Sequence, residues 1–144
     1  MAQIHAYLTF DGETREAMEF YHHCLGGDLE IQTVGESPMA EEVLAEAHDR
    51  VLHSSLRDGE LVLMASDRLD HGGENRQLVK GNAVHLSLNC TSKEEIQTCF
   101  ASLSRGGEVT MPLQEQFWGA LFGMLTDQFG MHWMLNYELE QTGS

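Results

Sequence analysis

Shifted by 80 residues against itself, the sequence brings His5 onto His85, Leu8 onto Leu88, Phe20 onto Phe100 and Gly26-Gly27 onto Gly106-Gly107, without a gap. Two histidines, a helix aromatic and two glycine caps share one register, which chance hardly supplies. Each copy carries the same succession of patterns. Residues 3–10 alternate as a strand, and Glu13–Leu25 places Ala17, Phe20, Tyr21, Cys24 and Leu25 on one helical stripe. Gly26-Gly27 closes that helix. Strands follow over Leu29–Val34, 51–57 and 60–66, the last two joined by an Asp58-Gly59 hairpin signal. The acidic segment Gly35–Asp49 reads as a loop with one helical turn. The second copy restarts with a strand over Ala83–Asn89. A helix follows over Lys93–Ser104, buried through Ile96, Cys99, Phe100 and Leu103, opened by Ser92-x-x-Glu95 and closed by Gly106-Gly107. Strands near 108–110, 116–125 and 131–137 complete it.

The expected fold class is therefore α+β: two tandem βαβββ units within a single domain over residues 1–144. Unit one covers about 1–67, a polar linker about 67–81 and unit two about 82–138, with a frayed tail beyond. Pairing the units edge to edge would give a curved, incomplete barrel around a cavity, with the helices outside. Ala6, Leu8 and Phe10 would then pack beneath one helix and Val84, Leu86 and Leu88 beneath the other. His5, Tyr7, Thr9, His85, Ser87 and Asn89 would face the cavity. A polar inner face is costly in a dry core and reasonable in a binding site.

The second unit ends in an aromatic- and methionine-rich run, Met111 to Asn136, with a turn at Asp127-Gln128-Phe129-Gly130. Trp118, Phe122 and Trp133 suit a pocket wall, although core is the default for strand aromatics. Two acid-rich patches, Glu41/Glu42/Glu46 and Asp67/Asp70, read as solvated faces. His22-His23 ends a helix, where imidazolium complements the dipole.

Bulk properties exclude several functions. The net charge of −15, from 23 acids against 8 bases, repels phosphate backbones and anionic membrane surfaces, so neither nucleic acid nor a membrane is an expected partner. The charge keeps the chain soluble and also favours cationic ligands. No run is long enough to span a bilayer, and the first residues lack a signal peptide, so a cytoplasmic location is expected. Cys24, Cys90 and Cys99 form no C-x-x-C and are expected as reduced thiols, Cys24 and Cys99 packing in the core. No activating partner for a nucleophilic cysteine is visible. The absence of a glycine-rich loop after a strand argues against a nucleotide or adenosyl cofactor, and with it against methyl transfer.

Phe20-Tyr21 with Gly26-Gly27, His53 in VLHSSL, Met64-Ala65-Ser66-Asp67 and the run from Met111-Pro112-Leu113-Gln114 through Phe117-Trp118-Gly119 to Trp133-Met134-Leu135-Asn136 resemble the vicinal oxygen chelate superfamily. This is the glyoxalase, bleomycin-resistance and extradiol-dioxygenase group, and the closer likeness is to its PhnB-like branch, often labelled demethylubiquinone methyltransferase-like. The resemblance implies a small-molecule ligand, a homodimer and one divalent ion (Zn, Mn, Fe, Ni or Mg). It puts His5 and His85 in the first-strand metal positions. The expected last-strand carboxylates fall at Met64 and Met134, and thioethers are poor ligands for such ions. His132, on the same strand face as Met134, is a substitute. His53 would complete a metal site, act as an acid or base, or only hydrogen-bond. The expected pocket lining is Tyr7, His53, Ser87, Trp118, His132 and Met134. Two functions follow: a metal-assisted lyase, isomerase, dioxygenase or group-transferase, or a non-catalytic binder that sequesters an aromatic or cationic compound, as drug-resistance members do.

Overall fold

A computed structural model of the chain describes residues 2–41, 48–68 and 78–139. Glu42, Glu46, Asp70 and residues 69–77 of the expected linker lie outside the described residues. The fold is α+β, with two compact units, Met1–Leu78 and Val79–Ser144. Each is a βαβββ unit whose four strands form one open sheet.

Unit one runs β1 (Ala6–Phe10), α1 (Thr14–Leu25), β2 (Asp28–Thr33), two short 3₁₀ turns over Val34–Glu36 and Pro38–Glu41, β3 (Val51–Asp58) and β4 (Leu61–Asp67). The spatial order is β1-β4-β3-β2, with β1 parallel to β4 and the other pairs antiparallel. α1 buries Ala17, Met18, Tyr21 and Cys24, while the sheet contributes Phe10, Leu56, Leu63 and Ala65. Alternation along the strands produces this division: every second residue faces the helix, and its neighbours face away.

Asp67, expected on a solvated face, is instead buried and ties the unit together. Its Oδ1 accepts from the Gly12 N–H (2.9 Å), the Thr14 N–H (3.1 Å) and the Thr14 hydroxyl (2.6 Å), and its Oδ2 from the Val51 N–H (2.8 Å). One carboxylate at the end of β4 thus fixes both the start of α1 and the start of β3. Its four donors offset the cost of burying the charge.

Unit two runs β5 (Leu86–Asn89), α2 (Lys93–Ser104), β6 (Glu108–Glu115), β7 (Ala120–Thr126) and β8 (His132–Glu138), in the order β5-β8-β7-β6. α2 has the expected bounds and stripe. Its Ser92 Oγ accepts from the Glu95 N–H (3.0 Å), and Glu95 Oε1 accepts from the Thr91 N–H (2.9 Å). Gly123 of β7 lies under this helix, where a Cβ would stand 2.6 Å from the Phe100 ring.

Four strand boundaries differ from expectation by more than one residue. β1 and β5 begin at Ala6 and Leu86, so His5 and His85 precede the strands, and Val84 is 77% exposed rather than packed beneath a helix. In unit two the parallel ladder starts at Leu86↔Trp133, and β8 itself begins only at His132, after the Asp127 turn. β6 runs on to Glu115 through Pro112, which is tolerated because β6 is an edge strand whose pairing with β7 is already interrupted around Met111. The segment expected as a strand over 116–125 is a turn over its first four residues, closed by Gln116 N–H to Ala120 O (2.7 Å) and by Gly119 at φ 85.

Candidate functional site

The face of each sheet turned away from its helix carries the candidate residues. In unit one the pairing Glu30↔Ser55, Ser55↔Met64 and Tyr7↔Met64 sets these four side chains in one row across the strands. The adjacent row holds Gln32, His53, Ser66 and Thr9. Tyr7 and His53 meet across β4: the phenol oxygen and His53 Nδ1 share a 3.3 Å hydrogen bond, and the rings lie 5.8 Å apart at 31°. Both are accessible, Tyr7 at 49%. The structure therefore brings together two of the expected pocket residues, and gives His53 a hydrogen-bonding partner on the open face.

In unit two the corresponding row is Met111, Met124, Met134 and Ser87, fixed by Met111↔Met124, Met124↔Met134 and Ser87↔Met134. The next row is Gln114, Phe122, Asn136 and Asn89. Trp118, in the β6–β7 turn and half-exposed, sets its ring edge-on to Phe122 at 5.8 Å and to Phe117 at 5.1 Å. Trp118 and Phe122 thus extend the thioether surface with aromatic area. Asn89, expected to face the cavity, and Phe122, expected as pocket wall or core, both lie on this face, together with Asn136, Met111 and Met124. The alternation of 120–126 around Gly123 was the available signal, since it puts Phe122 and Met124 opposite the helix.

A hollow of about 340 Å³ opens at the end of this face, lined by Asn89, Cys90, Asn136, Tyr137 and Glu138. Its volume is within the range of small-molecule sites, and its lining is amide-rich.

The histidines expected to hold a metal are differently engaged. His5 is exposed and shares a 3.2 Å contact with Gln3 Oε1. His85 lies against His132, ring centroids 5.5 Å apart. His132 Nε2 stands 3.0 Å from Gly81 O and Nδ1 stands 2.9 Å from Thr126 Oγ1. A carbonyl only accepts, so Nε2 carries the proton and, in the neutral ring, Nδ1 accepts from the Thr126 hydroxyl. Neither nitrogen has a lone pair left for a cation. Among the described residues no three His, Cys, Asp or Glu side chains are grouped to hold an ion. With Met64 and Met134 at the last-strand positions, the donor set does not fit a hard or borderline divalent metal.

Asp127 orders the turn before β8. Its Oδ1 accepts from the Phe129 N–H (2.8 Å) and the Met131 N–H (3.1 Å), and its Oδ2 from Trp133 Nε1 (2.8 Å). Trp133 is accordingly a core residue, anchored by its indole, and the direction of β8 follows from it.

No helix among the described residues is long and apolar enough to cross a membrane. Comparison with known proteins agrees with the geometry. Over 97% of its length the chain superposes on all of a solved protein, PA1353 from Pseudomonas aeruginosa, with a TM-score of 0.81 and 42% identity. A Bacillus cereus PhnB protein, described as a putative 3-demethylubiquinone-9 3-methyltransferase, gives a TM-score of 0.69 at 27% identity over 94% of this chain and 99% of that one. Protein YjdN of Escherichia coli strain K12 is 29% identical over 94% of this chain and 95% of its own. A family model for the Glyoxalase/Bleomycin resistance protein/Dioxygenase superfamily, whose fold binds small molecules, matches residues 3–135. With its repeated βαβββ units and its PhnB-like neighbours, the chain belongs to that superfamily.

Proposed function

We propose that the protein binds a flat, predominantly aromatic small molecule on the open face of unit two, without a divalent metal, and that it sequesters this ligand rather than transforming it. The observation that carries this reading is the Met111–Met124–Met134 row with Phe122 beside it and Trp118 at its rim. Thioethers are polarisable, adapt their rotamers and make favourable contacts with aromatic rings. Asn89, Asn136 and Ser87 supply neutral hydrogen-bonding groups at one side, suited to orienting a ligand rather than moving protons. The net charge of −15 favours a ligand with a positive charge. The engaged ring of His132 and the methionines at the last-strand positions support independence from a metal.

The test is thermal denaturation of the EDTA-treated full chain with a panel of aromatic cations and neutral aromatics. A ligand at a hundred times its Kd should stabilise the folded state by about 2.7 kcal/mol. Its concentration should stay constant on prolonged incubation. Stabilisation that appears only after zinc, manganese or ferrous iron is restored, or consumption of the ligand, would overturn the proposal.

A further inference from the structure

The parallel ladder of unit two ends at Asn89↔Asn136, yet β8 runs on to Glu138. Tyr137 and Glu138 therefore have no strand beside them where β5 stops. The Cys90 N–H, donating to Asn136 O at 2.8 Å, fixes the β5 side of this step in the sheet. The hollow of about 340 Å³ occupies it, lined by Asn89 and Cys90 on one side and by Asn136, Tyr137 and Glu138 on the other. Side chains alternate along β8, so Met134, Asn136 and Glu138 share the open face, with Asn89 level with Asn136 on one side and Phe122 on the other. Glu138 forms no salt bridge to any described residue, and the side chains of Asn89 and Asn136 form no hydrogen bond to one. One carboxylate and two amides thus stand uncommitted in a single hollow, next to an aromatic and thioether wall.

We propose that this hollow seats a primary ammonium group, with Glu138 as the residue that selects it, while the aromatic body of the same ligand lies on Phe122 and the methionine row. The assignment rests on the open-face reading above and narrows its ligand class to aromatic primary amines.

A primary ammonium carries three N–H donors and no acceptor. The Glu138 carboxylate and the amide oxygens of Asn89 and Asn136 offer one acceptor group for each donor, and the carboxylate matches the charge. A ligand carboxylate in the same place would be repelled, and a hydroxyl could donate only one bond. The net charge of −15 draws any cation towards the chain, so a preference for N–H donors is what marks the hollow as the site. Spacing defines the ligand further. Two residues along a strand cover about 6.8 Å and adjacent strands lie about 4.8 Å apart, so Glu138 stands about 8 Å from Phe122 along the sheet. The ammonium is therefore carried on a linker rather than directly on the ring.

The test follows the fluorescence anisotropy of 1-pyrenebutylamine and of 1-pyrenebutanol, which share ring and chain, during titration with the EDTA-treated full chain at physiological ionic strength. The amine should bind roughly tenfold more tightly than the alcohol. Glu138→Gln should bring the amine to the affinity of the alcohol and leave the alcohol unchanged. Glu16→Gln, which removes an equal charge from the exposed side of α1, should change neither. The trimethylammonium analogue keeps the charge without N–H donors and should lose most of the gain. Equal binding of amine and alcohol, a gain that survives Glu138→Gln or falls as far in Glu16→Gln, or a trimethylammonium as tight as the primary amine would overturn the proposal, while the open-face reading stands on the binding of the alcohol. Binding of neither probe would overturn both. The comparison of amine with alcohol on the wild-type chain is decisive whether or not a variant folds.

Discussion

In unit one the row crossing the open face at the last strand reads Glu30, Ser55, Met64 and Tyr7. In unit two the same row reads Met111, Met124, Met134 and Ser87. One row over, His53 of the first unit stands where Phe122 stands in the second. The helix-facing sides differ far less: each buries a helix stripe on aliphatic strand residues, and each contains a close glycine contact at the start of its second strand. Duplicated scaffolding has kept its packed side and changed its open side. Packing restricts every change of volume, whereas an uncovered face accepts changes in chemistry. The first unit now offers polar groups and the second an apolar wall.

The packed sides should therefore respond alike to mutation, and most strongly. At Gly107 a Cβ would overlap the Thr126 carbonyl oxygen, and at Gly27 it would stand 2.7 Å from Arg57 O with φ at 89. In both cases the obstacle is backbone, which cannot rotate away. Gly107→Ala should cost about 3 kcal/mol or more, and Gly27→Ala nearly as much, in urea denaturation. A neutral outcome at either site would break the equivalence of the two packed sides.

The buried aspartates separate the units more finely. Asp67→Ala removes four hydrogen bonds that join α1, β3 and β4, for an expected loss of about 3 kcal/mol. Asp127→Ala removes, among its interactions, the bonds from the Phe129 and Met131 N–H groups and the Trp133 indole, for about 2 kcal/mol. Equal losses would show that Asp67 does not act as the junction of its unit.

On the open faces the responses should diverge. Phe122→Ala should weaken an aromatic ligand roughly tenfold, equal to about 1.4 kcal/mol, while Tyr7→Phe leaves its affinity unchanged in the same titration. The reverse pattern would move the site to unit one. The smallest contrast is at the helix starts. Ser92 caps α2, whereas the Glu13 side chain makes no capping bond to α1. Ser92→Ala should cost about 1 kcal/mol in thermal denaturation.

Local patterns were legible in the sequence wherever the interactions are local. α2 is recognisable from end to end because its cap, stripe and glycine terminator lie within sixteen consecutive residues. The Asp58-Gly59 and Asp127–Gly130 turns are legible for the same reason. Asp67 was not, because its donors come from residues 12, 14 and 51, and a single aspartate at a strand end looks like surface. The full length of β6 is not legible either, because the tolerance of Pro112 depends on β6 being an edge strand. The aromatic composition around Trp118 has the look of a strand, whereas Gly119 makes a turn there. His132 was legible as a residue of the open face. The engagement of both its nitrogens depends on Gly81 and Thr126, one of them fifty-one residues away, and no spacing rule reveals it.

The apolar character of the second open face can be read directly by NMR of protein carrying labelled methionine methyl groups, treated with EDTA and titrated with a flat aromatic cation such as acridine orange. Met18, fully buried on the sheet-facing side of α1, is the internal reference. The account predicts that the Met111, Met124 and Met134 signals move in saturable fashion while Met18 stays fixed, with no divalent metal present. Signals that remain still until a divalent metal is added, or movement confined to Met64 in unit one, would contradict it.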